Sequence, residues 1–343
     1  MRKKAALIFL IKIVRLAFAV INLSLSAKYF GVSLERDVWI LALNCIVIFD
    51  IAIWGPINET FRAKFLFLKE EEGGQSALKK TQSLFLFTNV VTILLVAVLV
   101  IFPQGIAGLI APDFQGSKLI GLILMIRLVA PSFLLNQVTQ LLISILNAYD
   151  SFVIPELTGL VTQILTLALV ILLAPSIGIF TLAIAYYVGL LLLLIFLIIQ
   201  LKRFKIQLFK NFDFFVWNDF KPFIIFALPF FFPYAISQLN LIIEKSIASS
   251  FHIGSVSILD YSRKFSDIPL DVLRSVFMTL LIPILSSSFA KKERETFAAE
   301  FQKMYQFGFI VIVIIIGMLN SCPEAFVNIL YQKGHISKES LSE

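Results

Sequence analysis

The stretch LDYSRKFSDIPLDVLRSV, residues 259–276, carries six charged side chains inside a region otherwise apolar enough to cross a membrane. Asp260, Arg263, Lys264, Asp267, Asp271 and Arg274 follow one another at steps of three or four, with only Arg263 and Lys264 adjacent. On an α-helix this spacing gathers them on one face. Leu259, Phe265, Ile268, Leu270, Val272, Leu273 and Val276 are left for lipid or neighbouring helices. An ionised group facing lipid costs roughly 2.5–3.5 kcal/mol by insertion scales. The charged face is therefore expected to meet protein or a water-filled cavity.

The rest of the chain explains why the stretch reads as a membrane helix. Of 343 residues, 59% are hydrophobic and 15% charged, and the mean hydropathy is +0.93, outside the range of ordinary soluble domains. Apolar runs recur at lengths that cross a hydrocarbon core of about 30 Å as helices, and the alternation of a β-barrel is absent. The expected fold class is an all-α polytopic membrane protein. Breaks at Pro, Gly and charge clusters predict nine helices, at roughly 4–30, 37–57, 82–103, 118–146, 153–174, 177–201, 221–249, 258–289 and 304–331. The opening segment carries Lys12 and Arg15 within its apolar run and is longer than a signal-peptide core, so it reads as a retained helix.

Charge gives an expected orientation. With the amino terminus inside, seventeen Lys and Arg fall on the cytoplasmic side, in the terminus and three long connections (61–80, 201–221 and 290–303), against five outside. That bias is the positive-inside pattern, and it accounts for the net charge of +7 without nucleic acid as a partner. The basic and aromatic run KRFKIQLFKNFDFFVW reads as an interfacial segment on the anionic inner leaflet. The expected organisation is a six-helix lobe over 1–201, a linker over 202–220 and a second, partial lobe over 221–343. Trp39, Trp54 and Trp217 read as interfacial anchors.

A second polar stripe, Lys12, Arg15, Asn22 and Ser26, occupies one face of the first helix. Together with Arg127 in the fourth helix and Arg263, Lys264 and Arg274 in the eighth, Lys12 and Arg15 would form an anion site. A low dielectric magnifies their field, and guanidinium forks suit phosphate or pyrophosphate. Asp260, Asp267 and Asp271 would hold these bases charged and exchange partners as a cavity opens and closes. The alternative is that the charges pair across packed helices and fix their register.

Catalysis is not expected. His252 and His335 are the only histidines, so neither H-E-x-x-H nor a paired-histidine zinc site can be built. No GxxxxGK[ST] loop points to ATP, and no cofactor or metal is expected. Cys45 and Cys322 lie in separate apolar segments and read as packing residues.

Several segments, in order, resemble the MurJ (MviN) family of lipid II flippases: KYFGVSLERD (28–37), LNAYDSFVIPELTGLVTQI (146–164), FALPFFFPYAISQLNLIIEKSIASSFHIGSVSILDYSRKFSDIPLDVL (226–273) and NILYQKGHIS (328–337). The resemblance covers most of the chain. It implies two helix lobes, alternating access and movement of a polyprenyl-pyrophosphate-linked sugar across the bacterial inner membrane, for peptidoglycan or surface polysaccharide synthesis. The partners implied are that lipid-linked anionic glycan, membrane lipids and, if a gradient drives transport, a coupling ion. Asp37 matches the family's acid at the start of its second helix. Asn22 and Lys28 stand where the family has arginines on and after its first helix, Asp50 stands where it is arginine-rich, and Arg263 replaces an acid. These departures keep a basic path but widen the expected cargo from lipid II to related glycolipids. The alternative within the same superfamily is a cation-coupled multidrug exporter, using Asp37, Asp50 or Glu156. The family has about fourteen helices, so the sequence reads as a fragment or truncated product, or as one needing a partner to complete its second lobe.

Overall fold

The computed structural model describes residues 2–149, 151, 153–206, 208, 216–276 and 294–321. Every regular element among them is helical. Helix α1 (Arg2–Phe30) is followed by α2 (Leu34–Phe49), which Ser33 caps by accepting a hydrogen bond from the Arg36 amide at 3.2 Å. Glu35 and Asp37 in the first turn of α2 complement its positive end. At Asp50–Trp54 the helix loosens into a π turn, then continues as α3 (Gly55–Glu72) with Pro56, which has no N–H to donate back across that turn, at its start. Gly73, at φ 89°, separates α3 from α4 (Gly74–Ile101).

The short α5 (Pro103–Ile110) leads to α6 (Ser117–Val129) and α7 (Ser132–Ala148), a pair bent by 40° at Ala130–Pro131. Then come α8 (Val153–Ile177), α9 (Phe180–Arg203), α10 (Trp217–Ser250), α11 (Ser255–Val276) and α12 (Arg294–Ser321).

Among the described residues seven helices are long and apolar enough to cross a membrane, or eight if the bent α6–α7 pair is one span. The expected nine is therefore not confirmed. The remaining one, α11, forms as a helix, but its charges keep it out of a count made on length and hydropathy. A further difference lies at 61–80, expected as a connection. The helix runs on through it to Glu72, because a segment leaving the hydrocarbon turns polar without ceasing to be helical. Residues 207 and 209–215 of the expected interfacial segment, together with Cys322, His335 and the motif at 328–337, lie outside the described residues.

The chain divides into two compact units, residues 1–31 with 258–343, and residues 32–257. In the larger, α8 packs on α9, α10 on α3 and α4, α2 on α6, and α7 on α9, α3 and α4. Its core is aromatic: Phe61 stacks on Phe223 at 5.3 Å, Phe87 on Phe220 at 4.4 Å, and Trp54 meets Phe87 edge-on at 6.3 Å. Trp39 and Trp54 are thus buried rather than interfacial, whereas Trp217 is exposed. Three buried threonine hydroxyls are satisfied within their own helices, Thr60 on the Pro56 carbonyl at 2.7 Å, Thr81 on Ala77 at 2.8 Å and Thr92 on Thr88 at 2.7 Å. This is the economical arrangement where no water can serve. Tyr149, just past α7, packs on Phe65 and under the Lys69 ammonium at 5.4 Å. Its burial pushes the phenol above its ordinary pKa.

In the other unit, α1 and α11 are tied by the Tyr261 hydroxyl, which donates to the Gly31 carbonyl at 3.2 Å. Leu10 of α1 and Phe309 and Ile310 of α12 are exposed, as lipid-facing surfaces are.

Candidate substrate-binding site

The charged stretch forms a helix as its spacing predicts, and its start is fixed by Asp37. That carboxylate accepts hydrogen bonds from the Gly254 amide at 2.6 Å, the Ser257 amide at 2.8 Å and the Ser257 hydroxyl at 2.5 Å. Asp37 is 2% exposed, so three donors compensate the burial of its charge, and its position at the N-terminus of α11 adds the helix dipole. Gly254 makes the tight entry possible. It sits at φ +99°, where a side chain is strained, and a Cβ there would collide with Val32.

Beyond this anchor, Tyr261 is buried and faces Gly31. Lys264 pairs with Asp260 at 2.7 Å, one helical turn apart; the lysine side chain is 49% exposed and the aspartate 14%. Arg263 is exposed and Asp267 half-buried. Asp271 and Arg274 share the helix, their side chains lying outside the described set. In the same unit α1 carries Lys12, Arg15 and Asn22, all half-buried and all engaged in polar interactions, and the buried Ser26. Lys28 is exposed, its ammonium 5.5 Å from the Tyr29 ring. Two polar stripes recognised separately in the sequence thus belong to one packed unit.

The larger unit holds the remaining residues. Arg127 is exposed, and its Nε donates to the Val100 carbonyl at 3.1 Å, in the last turn of α4, where carbonyls lack helical partners. That bond serves a helix end. Asn136 of α7 donates to the Oδ2 of Asp50 at 2.7 Å, a pairing not foreseen from the sequence, and the other oxygen, Oδ1, is shielded and unpartnered. The polar seam continues along the same helices, where Asn58 donates to the Gln137 side chain at 3.4 Å and Ser144 to the Asn58 carbonyl at 3.4 Å. Single amides in apolar helices give no warning of such pairing until the helices are packed. Among the described residues no group of His, Cys, Asp and Glu could hold a metal ion.

Residues 26–343 match the family model described as "Lipid II flippase MurJ". Over 108 residues the chain is 34% identical to the "Probable lipid II flippase MurJ" of Rickettsia prowazekii (strain Madrid E), a stretch that is 29% of this chain and 19% of that relative. Its fold resembles a solved "Lipid II flippase MurJ, inward closed conformation", with a TM-score of 0.80 at 21% identity, over all of this chain and 70% of that one. It also resembles an inward-facing multidrug resistance MATE family transporter of the MOP superfamily, with a TM-score of 0.66 at 13% identity, over 96% of this chain and 78% of the other. A multi-pass helical membrane protein with this fold and a family match across nearly its whole length belongs to the lipid II flippase MurJ family.

Proposed function

We propose that the chain translocates a polyprenyl-pyrophosphate-linked sugar precursor, lipid II or a related glycolipid, across the bacterial inner membrane by alternating access. It would do so as a transporter rather than an enzyme. The observation that carries this reading is the joining of the two basic stripes, on α1 and α11, in one unit of a family member. Lys12, Arg15 and Lys28 on α1, with Arg263, Lys264 and Arg274 on α11, would hold the pyrophosphate. Asn22 would donate to it, and Asp260 and Asp267 would keep the bases charged between cargoes. Asp37 positions α11 rather than meeting the headgroup, and Arg127 would belong to this set only by leaving the α4 terminus. In the transport architecture implied by the family, the lobes are 1–201 and 221–343, joined by 202–220, with the amino terminus cytoplasmic as the basic bias favours.

The cationic path suits a diphosphate because charge-assisted hydrogen bonds to a doubly charged group are strong where water is scarce. Lysines at positions suited to arginine still attract it, but as point charges without the forked geometry. The test is binding of a fluorescent undecaprenyl-pyrophosphate glycolipid to the purified chain, with Arg263, Lys264 and Arg274 changed singly to Gln. Each change is expected to cost about 1.5–3 kcal/mol, roughly a ten- to hundredfold loss of affinity. Unchanged binding by all three folded variants would overturn the reading and leave the charges as helix-pairing residues.

A further inference from the structure

The unit of residues 32–257 contains a carboxylate that the proposed cargo path does not use. Asp50 lies at the start of the π turn, well inside the long α2–α3 span. Its Oδ2 accepts from Asn136, while Oδ1 has neither a partner nor access to solvent. A carboxylate with one of two oxygens orphaned in an apolar interior is unfavourable as an anion, and an ionisable group at membrane depth points by default to a functional site. The π turn is a second, independent irregularity at the same residue. The Asp50 carbonyl is reached by the Gly55 amide, five residues on, and such bulges recur where helices carry function.

The elements packed on this turn are α2, α3, α7 and α10. None brings a cation to Asp50 among the described residues. Ile46–Phe49, the last turn of α2, is wholly apolar, and α7 contains no titratable side chain at all. Along α3 the first ionisable residue is Glu59, exposed and past the turn. From α10 comes Tyr234, whose ring would meet a Cβ on Gly55 at 2.5 Å; the Glu244–Lys245 pair is about three helical turns further on. From α9, Tyr186 interacts electrostatically with Asp50 and hydrogen-bonds Ser132. The site therefore offers one carboxylate, one amide donor and phenols. That set lacks the five or six oxygens a sodium ion would need, but it suits a proton. Protonation at Oδ1 removes the charge and leaves Oδ2 still accepting from Asn136.

We infer that Asp50 is a proton-binding site. Its carboxylate takes a proton from water at Oδ1 when a change of conformation opens the site, becomes the neutral acid, and returns the proton to water at a later change. No other bond is made or broken. The use of this proton to drive transport rests on the function proposed above; the protonation itself does not.

The test is infrared difference spectroscopy of the full chain in lipid nanodiscs, stepped between neutral and alkaline pH. The expected result is a protonated-carboxyl carbonyl band at neutral pH that disappears on the alkaline step. Asp50→Asn is expected to lose it, Asp50→Glu to keep a band at a shifted frequency, and Asn136→Leu to keep a band that titrates at higher pH, because the amide favours the anion. Two results would overturn the inference: no band that depends on residue 50 in the folded Glu and wild-type proteins, or discharge of the band at fixed pH by sodium chloride but not choline chloride, which would make the site one for a metal cation. A titrating band without glycolipid binding in the preceding assay would support the proton site and remove the cargo assignment alone.

Discussion

Asp37 and Asp50 lie on the same long helix, and their surroundings treat them in opposite ways. Asp37 is buried with three donors on its two oxygens, at the positive end of α11. Asp50 has a single amide donor and an orphaned oxygen. An acid with both oxygens engaged holds structure, and its charge is part of the fold. An acid left half-satisfied is held in place by the fold around it, and its charge is free to change.

The comparison breaks most readily at Asp37. Asp37→Ala removes three hydrogen bonds and strands two amides at the start of α11, and is expected to cost about 3 kcal/mol or more, read as a lower thermal midpoint of the purified protein. If its stability were unchanged, the anchor would not be structural. A smaller loss, about 2 kcal/mol, is expected for Gly254→Ala, which forces a side chain into a left-handed conformation and against Val32. Trimming the neighbour in Gly254→Ala/Val32→Ala should relieve the collision but not the backbone strain, so only partial recovery is expected. The smallest effect sharpens the contrast: Asp50→Asn replaces a half-paired acid with a neutral isostere and should leave stability within about 1 kcal/mol of wild type, or raise it. A loss as large as that of Asp37→Ala would place both acids in the structural class.

Much of this was legible in the sequence, for a physical reason. Helical periodicity turns a string of charges at 260–274 into a face, and hydropathy marks segments whose surroundings are lipid, so the helical membrane fold and both polar stripes could be read without coordinates. What could not be read depends on groups distant in sequence. Ser257 lies far along the chain from Asp37, and Asn136 from Asp50. The bond from the Arg127 Nε to the Val100 carbonyl likewise joins neighbouring helices. The length of α3 was missed because hydropathy measures solvent, not backbone. Where Arg62, Lys64, Lys69 and Glu70–Glu72 leave the apolar layer, the signal falls away although the helix persists.

That persistence has a mechanical meaning. Leu34–Glu72 is 39 residues without a full break, a rod of about 58 Å against a hydrocarbon layer of about 30 Å. Its only irregularity, the π turn at Asp50–Trp54, falls near the middle, as a fulcrum does. A rotation of about 10° there carries the Glu72 end through roughly 6 Å, over an arm of about 33 Å at 1.5 Å per residue. A change of one charge at the pivot is thus placed where the least movement has the longest reach.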